Sequence, residues 1–71
     1  MPQARKRISI DVSESFKARI DSLMERTEAA SLAEVIRKSV NLYDLVVSNN
    51  EKGGQIEMIY PDERIVEIKV L

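Results

Sequence analysis

Residues 7–12, Arg-Ile-Ser-Ile-Asp-Val, alternate polar with β-branched apolar side chains, and nothing strand-like follows until residue 55. The run reads as a half-buried strand, with Ile8, Ile10 and Val12 on one face and Arg7, Ser9 and Asp11 on the other. A strand must pair its backbone N–H and C=O groups, and the first 48 residues offer no second strand to do so. The economical solution is a second copy of the chain, its strand antiparallel to the first across a two-fold axis and the helices of both copies sharing one core.

Two helices follow. Ser13 stands as an N-cap before Phe16, Ile20, Leu23 and Met24, whose spacing is helical through about Glu28. Ser31 and Glu34 form a capping box that opens a second helix running to about Ser48. Its apolar face is Leu32, Val35, Ile36, Val40, Tyr43 and Val47, with Arg37 and Lys38 largely off that stripe. Residues 49–54, Asn-Asn-Glu-Lys-Gly-Gly, have the composition of a linker. Residues 55–71 read as a β-hairpin. Pairing Tyr60 with Val66, Met58 with Ile68 and Ile56 with Val70 gathers an apolar face, sets Glu57 opposite Lys69 and leaves a loop at 61–65, where Pro61 favours a type I turn. The chain therefore divides into 1–48, a linker at 49–54 and a hairpin at 55–71. The fold class is α+β, mostly helical.

Composition narrows the function. A 71-residue chain is one small domain, and a lone core of this size barely offsets the entropy of ordering it, so self-association is expected. With no cysteine and no histidine, disulfides, thiolate or imidazole metal ligands and the usual nucleophile–base pairs are excluded. Asp62 and Glu63 lack a third ligand, so no metal, no cofactor and no catalysis are expected. No apolar run could span a bilayer or serve as a signal peptide, which points to a cytoplasmic protein with no membrane partner. Charge is uneven: residues 1–40 hold eight basic and six acidic side chains, a balance of +2, and residues 41–71 hold three and six, a balance of −3. Arg5, Lys6 and Arg7 form the strongest cationic cluster.

The segment Lys6-Arg7-Ile8-Ser9-Ile10-Asp11-Val12-Ser13-Glu14, followed by Ser31-Leu32-Ala33-Glu34-Val35-Ile36-Arg37-Lys38, resembles the ribbon-helix-helix repressors, the class of the Arc and Met repressors. The resemblance covers residues 5–48. It implies an intertwined homodimer that inserts a two-stranded ribbon into the major groove of double-stranded DNA. On that likeness Arg7, Ser9 and Asp11 read bases, Arg7 being best suited because it can donate twice to guanine O6 and N7. Asp11 departs from what DNA contact favours: it could accept from cytosine N4, or, with the two-fold near Ser9, pair with Arg7 of the other chain. The amides of Ser31, Leu32 and Ala33 would hold a backbone phosphate at the helix start, and Arg5 and Lys6 would contact phosphates too. Family members often have a glycine between the helices, where this chain has Glu28-Ala29-Ala30.

Three other readings compete with a transcriptional repressor. An antitoxin would use the same DNA-binding half to regulate its own operon and residues 49–71 to bind a toxin protein. A monomer would pair the C-terminal hairpin with the N-terminal strand, leaving no free ribbon. A helix-turn-helix reading of 13–28 and 31–48 leaves the strand unexplained. The apolar face of the hairpin needs cover, and association into a higher oligomer than the dimer is the expected source of it.

Overall fold

The structure, a computed structural model, describes residues 5–70; residues 1–4 and Leu71, the outer ends of the expected first and last segments, lie outside it. Its elements are α1 (Glu14–Thr27), α2 (Leu32–Glu51), β1 (Ile56–Ile59) and β2 (Ile65–Ile68). The strand expected at residues 7–12 is not formed in the single chain: residues 5–13 take no regular structure. A strand is a property of a ladder, and here no neighbour supplies one. The hairpin does not supply one either: among the described residues its sheet has two strands, β1 and β2, and the N-terminal run is not a third, unlike the monomeric arrangement.

Both helices start where their caps place them. Ser13 Oγ accepts from the Phe16 N–H at 3.1 Å, and Ser31 Oγ from the Glu34 N–H at 3.2 Å. Each serine thereby satisfies one of the amides that a helix start leaves free. Both helices also end alike. Ala29 N–H donates to Met24 O and Glu28 N–H to Glu25 O; Gly54 N–H donates to Asn49 O and Gly53 N–H to Asn50 O. These are paired Schellman closures, which need one left-handed residue each. Gly53 (φ 79°) provides it at the end of α2, whereas Glu28 (φ 53°) provides it at the end of α1 with a side chain attached. A glutamate, Glu28, thus occupies a left-handed position that glycine would fill without strain. The closure on Gly53 also explains why α2 runs on to Glu51: Asn49, Asn50 and Glu51, polar enough to read as linker, are its last turn.

The hairpin forms in a different register from the expected one. Ile56 pairs with Ile68, Glu57 with Glu67, Met58 with Val66 and Ile59 with Ile65. Relative to the sequence expectation β2 has slipped by two residues, which keeps Ile56, Met58, Val66 and Ile68 on one face but sets Glu57 against Glu67 instead of Lys69. The turn decides this. Glu63 N–H donates to Tyr60 O at 2.9 Å across Pro61 and Asp62, Glu63 then turns left-handed (φ 69°), and Tyr60 N–H donates to Arg64 O at 2.8 Å. A type I turn followed by a left-handed residue closes a three-residue loop in the twist that the strands require, so the five-residue loop is not needed. Asp62 Oδ1 accepts from Arg64 N–H at 3.1 Å, and the Arg64 guanidinium lies 4.4 Å from the centre of the Tyr60 ring, both of which hold the corner.

Little is removed from water. Among the described residues only Val35, 8% exposed where α2 meets α1, is buried. The chain exposes 7092 Å², against about 4,500 Å² expected for a compact protein of its mass. Its radius of gyration is 15.5 Å, against about 11 Å for a compact chain of 71 residues. A groove bordered by Val46, Asn50, Ile56, Ile68 and Val70 separates the inner face of the hairpin from the end of α2. No described helix is long and apolar enough to cross a membrane.

Candidate nucleic-acid interface

Residues 5–13 lie entirely at the surface, apolar and polar members alike; Ile8 is 85% exposed. Arg5, Lys6, Arg7, Ser9 and Asp11 are therefore all accessible, and none of them makes a hydrogen bond or ion pair with another described residue of the chain. Among the described residues Arg7 and Asp11 form no ion pair with each other. Exposed polar side chains need no explanation; three exposed β-branched ones in alternation with them do, because each leaves apolar area in water.

The start of α2 is the second component. Glu34 N–H is taken by Ser31 Oγ and Val35 N–H by Ser31 O, while Glu34 Oε2 accepts from Ala30 N–H at 2.8 Å. Among the described residues the amides of Ser31, Leu32 and Ala33 have no acceptor, so the three positions expected to hold a phosphate keep their donors free. The positive end of the helix dipole adds to them. Glu34 opposes an anion there, but its other oxygen, Oε1, accepts from Lys38 Nζ at 2.9 Å. The Lys38 hydrogen bond, then the Ala30 amide, holds the Glu34 carboxyl below its ordinary value of 4.5. Lys38, off the apolar stripe as expected, stays 72% exposed and pairs with Glu34 at the i,i+4 spacing. No hydrogen bond or ion pair among the described residues joins the 5–13 segment to this helix start within one chain.

The third component is the uncovered side of α2. The expected apolar face divides: Val35 packs against α1, while Leu32, Ile36, Val40 and Tyr43 remain between 41% and 59% exposed. At 100° per residue these four span an arc of about 80°, adjoining Val35. The helix pair thus covers one flank of a stripe too broad for a single partner helix, and leaves the other flank to water. Compared with protein-family models, with curated proteins and with solved structures, the chain matches none.

Proposed function

We propose that this chain is a homodimeric, sequence-specific DNA-binding repressor of ribbon-helix-helix type. The observation that carries the reading is the coincidence of two unmet demands in residues 5–48: an alternating segment with no ladder, and an α2 stripe with half its width bare. One two-fold operation meets both. Antiparallel pairing of residues 7–12 from two chains forms the ribbon, places Ile8, Ile10 and Val12 over the helices, and lets the two α2 arcs cover each other. Two chains together expose about 5,000 Å² beyond the compact expectation, enough for the largest obligate homodimer interfaces.

In that dimer Arg7 and Ser9 project from the outer face of the ribbon into the major groove, where Arg7 reads guanine. Asp11 faces Arg7 of the other chain and orients it. The amides of Ser31, Leu32 and Ala33, with Arg5 and Lys6, hold the phosphates that fix the register. Repression follows from occupancy, so no bond is made or broken by the protein. The test is selection of bound duplexes from a random pool at moderate salt, repeated with Arg7→Ala. Enrichment of paired half-sites is expected, with preference at the base read by Arg7 falling by about 1–3 kcal/mol in the variant. No enrichment at any salt would overturn the reading.

A further inference from the structure

β2 ends at Ile68, yet its alternation of apolar and charged residues continues through Lys69 and Val70. Tyr60 donates to Arg64 across the ladder, and Met58 and Ile56 stand opposite Val66 and Ile68. Backbone groups of an antiparallel strand point alternately to either side. Those of Arg64, Val66 and Ile68 therefore point at β1, and those of Ile65, Glu67 and Lys69 point outward. Among the described residues no third strand takes them. An edge of this kind is a template for another chain; it has no proline and no bulge between residues 65 and 70, and the charges that would otherwise guard so short an edge, Glu67 and Lys69, are of opposite sign.

The edge is complementary to itself. Reversed about Ile68, the run Val66-Glu67-Ile68-Lys69-Val70 sets Glu67 of each copy against the partner's Lys69, Val66 against the partner's Val70, and Ile68 against itself. The outward backbone groups of Glu67 and Lys69 then face each other, as the ladder requires. Centring on Glu67 or on Lys69 also satisfies the backbone, but puts like charges face to face. We infer that β2 pairs edge to edge with β2 of a second copy, across a two-fold at Ile68, to make one four-stranded antiparallel sheet. Ile56, Met58, Val66, Ile68 and Val70 of both copies form its continuous apolar face. The pairing also places a cation beside Glu67, whose in-chain neighbour across the ladder is another carboxylate. The pairing edge itself, the outward backbone of residues 65–69, lies outside residues 5–48, so failure of the cross-link would leave DNA selection untouched.

The chain has no cysteine, which makes a single introduced one a clean probe. Opposed residues on a two-fold without mutual hydrogen bonds have Cα atoms about 4.5 Å apart, within disulfide range. Ile68→Cys in the full chain is expected to oxidise to a covalent dimer, and Ile59→Cys, on β1, to do so at least about tenfold more slowly. In the Ile68→Cys background, Glu67→Lys alone and Lys69→Glu alone each put like charges at both crossings and should slow the cross-link about tenfold. A mixture of those two variants restores both attractions and should yield the heterodisulfide at the parent rate. Should cysteine at Ile68 disturb the half-buried face, Glu67→Cys mixed with Lys69→Cys, both exposed, gives the same reading. Equal rates for Ile59→Cys and Ile68→Cys, or a mixture that cross-links no faster than its components, would overturn the inference.

Discussion

Glu57 lies directly across the ladder from Glu67, two carboxylates in cross-strand register with no cation among the described residues within ion-pair distance of either. Directly opposed like charges weaken a hairpin, and replacing one by its opposite turns repulsion into attraction. Glu57→Lys should therefore stabilise the protein by about 0.5–1 kcal/mol, read as a raised midpoint of urea unfolding at low salt. The gain should shrink at 1 M salt, where screening acts over about 3 Å. A lowered midpoint would mean that the register is wrong.

Glu28 holds a left-handed conformation that a side chain disfavours. Glu28→Gly keeps the Schellman closure and removes the strain, so stability should rise by about 1 kcal/mol. Glu28→Val, β-branched in the same place, should fall below the parent. Thermal unfolding of the three proteins at one concentration orders them.

The depressed carboxyl of Glu34 makes stability depend on pH in a known sense. A group whose folded pKa lies below its unfolded one contributes stability that is fully present above the unfolded value and is lost as pH falls through the folded value. The parent should therefore exceed Glu34→Gln in Tm at pH 7, and the difference should close as pH falls below 4.5. Lys38→Met should reduce the same difference at pH 7, since the Lys38 hydrogen bond is the largest cause of the shift.

A Cβ at Gly54 would meet the Asn49 side chain at 2.5–2.7 Å, and Asn49 Nδ2 donates to Gln55 O at 3.1 Å. Gly54→Ala should displace that amide and cost about 0.5–1.5 kcal/mol, the net worth of such a bond. In an Asn49→Ala background the same substitution should cost almost nothing. A double-mutant cycle on urea unfolding measures the coupling. Equal costs in the two backgrounds would separate Gly54 from Asn49.

Local chemistry was the most legible part of this chain. Ser13 and Ser31 announced both helix starts because a cap is decided by residues three positions apart, and the hairpin announced itself by alternation around Pro61. Its register did not, because matching Glu57 to Lys69 is a weak guide beside the closure of the turn. That closure depends on Glu63 accepting a left-handed conformation, which a glutamate does not advertise. The last turn of α2 was hidden in the same way: Asn49 and Asn50 look like linker until Gly53 is seen to close the helix behind them. Of the candidate site, the cap at Ser31 was legible; the division of residues 7–12 into an outer and an inner face has no counterpart in the single chain, where both sets are exposed. The salt bridge from Lys38 to Glu34 rests on an i,i+4 spacing that many surface pairs share without forming one. The strand expected at residues 7–12 is not formed in the single chain, where neither the first 48 residues nor the hairpin supplies a ladder among the described residues.

With Val35 as the single buried side chain among those described, the protomer holds almost nothing of its stability in private. When cover comes from a second copy, folding and assembly become one bimolecular event, and the folded fraction grows with chain concentration. The amount of the protein in the cell then acts as an input in its own right. On the proposed dimer, a dilute chain would remain open to proteases, a concentrated one would be protected, and occupancy of a target would rise more steeply than the number of chains made. A threshold response would be written into how little the lone chain buries.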